Sequence, residues 1–246
     1  MTETHTGCSP RPRVSWERFL ELLATTVTGI VAALLIWRAM VPTGGEPTAR
    51  RTIDISQAAP ISIEEGLTRG DLSARAVIIE YSDFLCPYCG KFAREMMPQL
   101  LRTYIDGGRA LISFKHLPIA AHAGALTAAE GAQCAAEQGK FWQMHDLMFR
   151  NQPSLSEANG ILDLARAAGV DLNSWSHCLN DERTRIQVEE DANSARALKI
   201  TGTPSFIFGY RMSDGKVRPV SGFAGAKSID DFNVALNRLL DSDGAR

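Results

Sequence analysis

The sequence contains few cysteines and almost no excess of charge. Five cysteines among 246 residues are too few for a disulfide-stabilised scaffold, so each has to be interpreted from its own neighbours. The formal net charge of −2 lacks the basic character that binding to a phosphate backbone requires. The chain also has no internal repeat and no low-complexity segment. We therefore expect a packed globular protein without a nucleic-acid partner.

The chain length favours one domain preceded by a leader. Domains usually contain about 100 to 200 residues, so one domain of about 180 residues and an N-terminal segment account for the chain. A hydrophobic content of 45% and a charged content of 22% are ordinary for a globular protein. A single hydrophobic core is the simplest expectation.

An apolar stretch near the N-terminus predicts a membrane anchor. Residues 19–37 are almost all apolar or small, and Glu21 is their only charged residue. A helix of about 19 residues nearly spans a hydrocarbon core of about 30 Å. We therefore predict a transmembrane helix at residues 19–41, after a short N-terminus at residues 1–18. A cleaved signal peptide and a buried core helix are the alternatives, and the bulky Trp37 at the end of the stretch disfavours cleavage.

The next segment, residues 42–60, has the composition of a linker. It has little apolar periodicity and contains three prolines and two glycines, Pro42, Gly44, Gly45, Pro47 and Pro60. We therefore expect the folded domain to occupy residues 61–240.

Hydrophobic patterning predicts a strand–helix–strand unit at the start of this domain. Residues 76–81 form a short apolar run that is typical of a strand buried on both faces. Residues 90–104 lack turn signals and predict a helix bent near Pro98, because proline removes a backbone donor. Residues 110–115 predict a second strand. Such a βαβ unit brings its two strands together in parallel.

The rest of the chain predicts a helical stretch followed by a hairpin and a last helix. Residues 121–200 have mostly helical periodicity, whereas residues 205–208 and 217–220 predict strands joined by a turn. Ser228 and Asp231 have the spacing of a capping box, which predicts that the last helix begins there.

The motif Cys86-Pro87-Tyr88-Cys89 lies where the first strand meets the first helix. Backbone N–H groups at a helix N-terminus favour a thiolate, so we predict that Cys86 is a nucleophile. Two intervening residues let Cys89 reach the same turn and resolve a mixed disulfide formed by Cys86. The alternative is half of a zinc site, but no second cysteine or histidine pair follows at a suitable spacing. We expect a redox pair and no metal.

A carboxyl group precedes the motif at the end of the predicted buried strand. Burial raises the pKa of a carboxyl group, so Glu80 is a candidate acceptor for the proton of Cys89. The alternative is a surface glutamate at a strand end. We expect Asp83 to be more exposed than Glu80.

A proline much later in the chain precedes the apolar run at residues 205–208. This proline could simply form a turn or mark the start of an edge strand. In this context we expect a cis peptide bond between Thr203 and Pro204, because such bonds usually have a structural purpose.

Three segments together resemble the DsbA-like group of the thioredoxin superfamily. They are EYSDF at residues 80–84, CPYC at residues 86–89 and TGTP at residues 201–204. The resemblance covers residues 61–240 and implies an α/β thioredoxin fold. About 115 positions separate CPYC from the last proline, more than a bare thioredoxin fold needs. The resemblance therefore implies an inserted helical domain at about residues 118–195.

The resemblance implies a thiol-disulfide oxidoreductase that oxidises cysteine pairs of exported proteins. Thr203 and Pro204 would then offer backbone groups to an extended substrate, with Pro87 and Tyr88 in the same binding surface. The redox disulfide would be the only redox group, without another cofactor. The best-known oxidants of the group have histidine where Tyr88 stands, so a milder oxidant, a reductase or an isomerase is an alternative. A non-catalytic module that docks a partner is a third possibility.

The same resemblance implies a location and partners. An enzyme that makes disulfides belongs in an oxidising compartment, so the domain would face the periplasm or another extracytoplasmic space from the cytoplasmic membrane. A membrane redox partner would reset its disulfide. The short segment before the domain leaves no room for a dimerisation domain, so we expect a monomer.

The other cysteines and the histidines allow weaker interpretations. Related proteins often have cysteines near the positions of Cys134 and Cys178, which favours a structural disulfide over two buried thiols. His116 and His122 could lie at the rim of the redox site, although ordinary loop positions are the alternative. Residues 141–148 contain aromatic residues, methionines and a histidine that could suggest a cofactor site, but their helical spacing favours core packing.

Overall fold

The computed structural model describes residues 52–243, together with Trp16, Leu20, residues 29–34 and residues 36–37. The chain divides into two compact units, Met1–Ala49 and Arg50–Arg246. The described residues of the first unit are helical. Among all described residues, no helix is long and apolar enough to cross a membrane. The predicted N-terminus lies outside the described residues except for Trp16, and the predicted anchor does so in large part.

The second unit is built on a five-stranded mixed sheet with the strand order β1-β3-β2-β4-β5. The central strand β2 pairs in parallel with β3 and antiparallel with β4. The pairs β1–β3 and β4–β5 are antiparallel. The strands are β1 (Thr68–Gly70), β2 (Ala76–Ser82), β3 (Ala110–His116), β4 (Ser205–Arg211) and β5 (Val217–Ala224).

Helices cover both faces of this sheet. Helix α1 connects the parallel strands β2 and β3, as the sequence predicts. It consists of the consecutive segments Pro87–Lys91, Phe92–Met96, Met97–Leu100 and Leu101–Ile105. The other helices are α2 (Ala125–Ala136), α3 (Phe141–Arg150), α4 (Gly160–Ala168), α5 (Leu172–Leu179), α6 (Glu182–Ala197) and α7 (Ile229–Asp243).

The insertion between β3 and β4 contains helices α2 to α6. Its helices run from Ala125 to Ala197, close to the predicted residues 118–195. One apolar cluster joins the insertion to the redox motif through Phe84, Cys86 and Cys89. A second cluster packs α1 and α7 on one face of the sheet, and a third packs α6 on the other face. The redox motif therefore lies where the insertion meets the sheet.

Helix α1 alternates between α and π geometry on either side of Pro98. The segments Phe92–Met96 and Leu101–Ile105 are π-helical, and the N–H of Met97 donates to the carbonyl of Phe92. Proline has no N–H and its ring crowds the preceding turn, so a regular α-helical ladder cannot pass through it. The predicted distortion near Pro98 thus takes the form of two π segments.

The folded unit begins earlier than the sequence predicts. The N–H of Ile53 donates to the carbonyl of Gly222 at 3.0 Å, and Thr52 forms a bridge with Phe223. Ile53, Ile55 and Ala58 are partly buried against the core cluster that contains Val217. The predicted linker at residues 42–60 is therefore wrong for residues 52–60, because alternate apolar residues there pack along the edge strand β5. Residues 42–51 lie outside the described residues.

Strand β1 was not expected from the sequence. It has only three residues and shows no apolar alternation, so hydrophobic patterning could not predict it. The expected capping box at the start of α7 is present, since the N–H of Ser228 donates to the Asp231 carboxylate at 3.3 Å and the N–H of Asp231 donates to the Ser228 hydroxyl oxygen at 3.4 Å.

Candidate active site

The redox motif occupies the N-terminus of helix α1. Strand β2 ends at Ser82, and the N–H of Cys86 donates to the carbonyl of Asp83 at 3.0 Å, which turns the chain towards the helix. Cys86 has an extended backbone and serves as the N-cap residue before Pro87. Proline suits the first turn because that turn needs no N–H donor at this position. This arrangement directs the exposed helix N–H groups towards the sulfur of Cys86.

The two cysteines are in the reduced form and differ in surroundings. Cys86 is 4% exposed and Cys89 is completely buried. Pro87 is exposed beside them, and Tyr88 is 66% exposed. The motif thus offers one accessible edge, formed by Pro87 and Tyr88, and the nearly buried Cys86 lies next to it in the chain.

A cis-proline loop approaches the nucleophile from the far end of the sequence. The peptide bond between Thr203 and Pro204 is cis, as expected, and Pro204 is buried. The thiol of Cys86 donates to the carbonyl of Thr203 at 3.4 Å. The N–H of Gly225 in turn donates to the carbonyl of Pro204 at 2.7 Å. The fold therefore brings the predicted residues Cys86, Thr203 and Pro204 together at one end of the sheet.

The surroundings of the motif separate the acidities of its two thiols. The hydrogen bond from the Cys89 thiol lowers the pKa of Cys86 to about 5, despite partial burial. The side chain of Thr203 and the backbone N–H groups of Cys89 and Tyr88 act in the same direction. Burial raises the pKa of Cys89 well above its ordinary value, and the Cys86 and Glu80 charges raise it further. Cys86 is therefore a thiolate at neutral pH, whereas Cys89 keeps its proton.

Tyr88 places no positive charge beside the thiolate of Cys86. A cation beside the nucleophile is one way to stabilise a thiolate, and tyrosine provides none. Here the Cys89 thiol, Thr203 and two backbone N–H groups take that role. The loss of a histidine at position 88 consequently leaves the thiolate well stabilised.

Glu80 lies in strand β2, six residues before Cys86. Its side chain is completely buried, and neither carboxyl oxygen has a hydrogen-bond partner among the described residues. Burial raises the pKa of Glu80 to about 8. The alternative of a surface glutamate is therefore wrong. A carboxyl group that titrates near neutral pH and interacts electrostatically with Cys89 can take or return a proton there.

Asp83 and His122 form a pair that the sequence did not predict. Asp83 is 2% exposed and Glu80 is completely buried, so Asp83 is slightly the more exposed of the two, as expected, but both are buried. One carboxylate oxygen accepts the N–H of Leu85 at 2.7 Å, and the other accepts the N–H of Ile119 at 2.8 Å and Nδ1 of His122 at 2.7 Å. Asp83 therefore ties the loop after β3 to the redox motif.

His116 lies in the interior rather than in a loop. It is the last residue of β3, pairs with Ser82 of β2 and is 1% exposed. Its Nε2 lies 3.1 Å from the side-chain oxygen of Gln133. Burial lowers the pKa of His116 to about 4, so the ring is neutral at pH 7. Both suggested positions, in a loop or at the rim of the redox site, are wrong for His116.

Gln152 is a further residue that sequence reasoning missed. Its side-chain nitrogen donates to the carbonyls of Phe84 and Cys86 at 2.8 and 2.9 Å. A Cβ atom on Gly90 would lie 2.1 Å from the Gln152 side-chain oxygen, so the helix approaches this amide closely. Gln152 thereby holds the redox motif against the insertion. Its only sequence signal is a polar residue in a loop, which is not specific.

The helical cluster at residues 141–148 forms core. Phe141, Met144 and Met148 are buried in the cluster that surrounds the redox motif, and His145 is completely buried. The rings of Phe84 and Phe114 stack within the same cluster at a centroid distance of 5.3 Å. No group of three or more metal-ligating side chains occurs in the part of the chain that the structure describes.

Comparison with known proteins agrees with this geometry. A family model described as Thioredoxin matches residues 62–221, which is more than half of the chain. The chain belongs to this thioredoxin family. The match includes the redox motif and the cis-proline loop.

Individual relatives support the same assignment of the fold. The thioredoxin-fold chain has a TM-score of 0.64 with alpha-DsbA1 of Wolbachia pipientis at 24% identity, over 74% of this chain and 94% of that one. A Rickettsia prowazekii protein named as a protein-disulfide oxidoreductase is 23% identical, over 73% of this chain and 63% of its own length. The chain thus shares its fold with alpha-DsbA1.

Another group of relatives is named for a different activity. An Na(+)/H(+) antiporter NhaA 1 of Salinispora arenicola is 30% identical over 205 residues, which make up 81% of this chain and 31% of the antiporter. This chain therefore spans less than a third of the length of that relative. The antiporter name describes the longer protein.

A second pair of cysteines is bonded within the insertion of this thioredoxin-fold chain. Cys134 of α2 and Cys178 of α5 form a disulfide with a Cα–Cα distance of 5.7 Å. Both cysteines are buried in the insertion core. Cys8 lies outside the described residues.

Removal of this disulfide is expected to destabilise the domain. A cross-link over a separation of 44 residues restricts the unfolded chain. Replacing both Cys134 and Cys178 with alanine should therefore lower the free energy of unfolding by about 2 to 4 kcal/mol. Urea unfolding of the variant and the wild type under oxidising conditions measures the difference. Reductant should remove most of the difference in unfolding free energy between the two proteins. Equal urea midpoints for the two proteins without reductant would contradict the prediction.

The thiolate of Cys86 is open to direct titration. Thiolate absorbance near 240 nm in the reduced protein should rise with a midpoint near pH 5, because the pKa of Cys86 is lowered to about 5. Cys86→Ala should remove this transition and provides the control. A midpoint between pH 8 and 9, where an ordinary thiol titrates, would show that the surroundings of Cys86 do not stabilise its thiolate.

Proposed function

We propose that this DsbA-like protein oxidises cysteine pairs of exported proteins through a disulfide between Cys86 and Cys89. The supporting observation is the position of Cys86 at the N-terminus of α1 and against the loop of Thr203, which lowers its pKa to about 5. Stabilisation of the reduced form makes the corresponding disulfide a stronger oxidant. The low pKa also makes Cys86 a good leaving group when the mixed disulfide with the substrate is resolved.

The exchange follows from the different surroundings of the two sulfurs. A substrate thiolate attacks Cys86, the bond between Cys86 and Cys89 breaks, and a mixed disulfide forms. The sulfur of Cys89 leaves as a thiolate and takes a proton from the carboxyl group of Glu80. The second substrate thiolate then attacks the substrate sulfur of the mixed disulfide. The substrate leaves with its new disulfide, and Cys86 leaves as a thiolate, so two electrons have passed to the pair.

The accessible edge of the motif is the proposed substrate surface. Pro87 and Tyr88 are exposed there, and the backbone of Thr203 lies within hydrogen-bond distance of Cys86. An extended peptide can pair with such a backbone segment while its cysteine reaches the sulfur of Cys86. Buried Pro204 and the backbone bond from Gly225 keep the loop in place.

The proposed cycle requires a second partner. The two electrons accepted by Cys86 and Cys89 have to leave before the next turnover, and we propose a membrane redox protein as their acceptor. No further cofactor is needed, because the sulfur pair itself carries the electrons. We retain an extracytoplasmic location on a single membrane anchor, and a monomer, as parts of this proposal.

A reductase or isomerase is the second candidate, since Tyr88 replaces the histidine of the best-known oxidants. Turnover with defined substrates distinguishes the two directions. The oxidised full-length protein, mixed with a reduced two-cysteine peptide, should transfer one disulfide per protein molecule. The reduced protein should reduce insulin slowly by comparison. Rapid insulin reduction without peptide oxidation would contradict the proposal.

A further inference from the structure

A cavity separate from the redox motif lies between helices α1 and α3. It has a volume of about 360 Å³ and lies against the α1 residues Ala93, Met97, Pro98 and Leu101 and against Phe149 of α3. None of Cys86, Cys89 and Thr203 lines it. The volume falls at the lower end of the range for small-molecule sites, about 300 to 1,000 Å³.

The rim of this cavity is positively charged. Three arginines, Arg69, Arg94 and Arg150, surround it together with one carboxylate, Asp146. Although burial raises the pKa of Asp146, the bond from His145 and the nearby arginines lower it overall, so the carboxylate is charged. Three positive charges against one negative charge leave an excess of positive charge over an apolar floor.

The hydrogen bonds of two arginines go to neutral oxygens, and Asp146, which also pairs with Arg69 at 3.9 Å, offsets only part of the positive charge. Nη1 of Arg94 donates to the carbonyl of Phe149 and to the side-chain oxygen of Gln152. Nε of Arg150 donates to the carbonyl of Asp146 at 3.0 Å. All three acceptors are neutral oxygens. Because a guanidinium has five N–H donors, these bonds orient the side chains and leave donors for an anion.

The irregular geometry of α1 shapes the floor. Ala93 belongs to the π segment Phe92–Met96, Leu101 begins the π segment Leu101–Ile105, and Pro98 lies between them. π segments often occur at functional sites. The helix therefore departs from regular geometry along the surface that faces the cavity.

We propose that this cavity binds a small amphipathic anion, with an apolar body of about ten non-hydrogen atoms and one carboxylate. The apolar body lies on Met97, Pro98 and Leu101. The carboxylate accepts hydrogen bonds from the guanidinium groups of Arg94 and Arg150. This site does not depend on the direction of electron flow at the redox pair.

The bound anion has a physical route to the redox motif. Arg94 contacts the side-chain oxygen of Gln152 at 3.3 Å, and Gln152 donates to the carbonyl of Cys86 at 2.9 Å. A carboxylate that draws Arg94 towards the cavity alters this chain of contacts. Occupancy of the cavity and ionisation of Cys86 are therefore linked, and each changes the other to the same extent.

Three probes that share one apolar body and differ only in charge test the site. Isothermal titration of the full-length protein uses 4-phenylbutyrate, neutral 4-phenylbutanol and cationic 4-phenylbutylamine as probes. We expect the carboxylate to bind with one-to-one stoichiometry, at least about tenfold more tightly than the alcohol, because charge-assisted hydrogen bonds are roughly twice as strong as neutral ones. Equal affinities for the acid and the alcohol would overturn the proposal.

Matched arginine variants locate the bound probe. Arg150→Gln should weaken 4-phenylbutyrate roughly tenfold, because it removes one charged donor. Arg102→Gln is the control, since Arg102 is exposed on the same helix but does not line the cavity. Equal losses in the two variants, or none in Arg150→Gln, would overturn the assignment to this cavity.

The link to the redox pair has its own measurement. Saturating 4-phenylbutyrate should move the absorbance midpoint of the Cys86 thiolate, and Arg94→Gln should abolish this movement while the ligand-free transition persists. An unchanged midpoint in the wild-type protein with bound ligand would contradict the link through Arg94 and Gln152.

Discussion

Cys86→Ser should abolish disulfide transfer to a reduced two-cysteine peptide, with a loss of about three orders of magnitude or more, as is usual for removal of an enzymatic nucleophile. Serine cannot form the disulfide with Cys89, so no oxidising equivalent is stored in the protein. Peptide oxidation followed by alkylation of the remaining thiols measures the loss.

Two variants make this result specific. Cys89→Ser keeps the sulfur of Cys86 but cannot store a disulfide, so it should not oxidise the reduced peptide either. With an oxidised peptide, attack of the Cys86 thiolate should break the peptide disulfide, release one peptide thiolate and leave a mixed disulfide that no residue 89 thiol can resolve. The variant that lacks Cys134 and Cys178 should retain transfer wherever it remains folded, because these two residues are bonded to each other and not to the redox pair. Full peptide oxidation by Cys86→Ser would contradict the assignment of the nucleophile.

Glu80→Gln has the second largest expected effect. The amide keeps the shape of the side chain but cannot exchange a proton with Cys89. General acid–base catalysis typically contributes about 10² to 10⁴, so exchange should slow by about a hundredfold near neutral pH. Stopped-flow measurement of peptide oxidation from pH 5 to pH 9 records the effect and its pH dependence. Glu95→Gln, an exposed substitution on α1, should leave the rate unchanged.

The same substitution should change how stability depends on pH. The pKa of Glu80 is raised from 4.5 in the ordinary state to about 8, so folding favours its protonated form. Its contribution to stability is fully present below pH 4.5 and is lost as the pH rises through about 8. The loss is on the order of 5 kcal/mol, since one pKa unit corresponds to about 1.4 kcal/mol.

Urea unfolding of the oxidised protein isolates this effect, because Cys86 does not titrate when it is in a disulfide. The wild type should lose stability between pH 4.5 and pH 8. Glu80→Gln should lose much less over the same interval. Parallel curves for the two proteins would show that Glu80 is not protonated by burial.

Much of the fold follows from local patterns in the sequence. The parallel strands β2 and β3 are continuous apolar runs, and turn residues bound the hairpin of β4 and β5. Strand β1 was missed because three residues carry no periodicity. Residues 52–60 were assigned to a linker because prolines and glycines before Ile61 outweighed the alternation of Ile53 and Ile55. Composition therefore predicts that the folded domain begins at residue 61, whereas pairing with β5 makes residues 52 and 53 part of it.

The active site was predictable only in part. The cysteine motif and the cis-proline loop have recognisable local sequences, and the run before Glu80 indicates its burial. The roles of Asp83 and Gln152 depend on partners 36 to 68 positions away, Ile119 and Phe84, which spacing does not indicate. The stabilised thiolate also arises from tertiary contacts, including Thr203, so the identity of residue 88 could not indicate it.

The reduction potential of the Cys86–Cys89 couple tests the central proposal most directly. The full-length protein is equilibrated in glutathione buffers, and alkylation of Cys86 and Cys89 gives the reduced fraction. The stabilised thiolate predicts a potential well above the value of about −270 mV for thioredoxin, towards the value of about −120 mV for DsbA. A potential near that of thioredoxin would make the pair a reductant and contradict the proposed direction of electron flow.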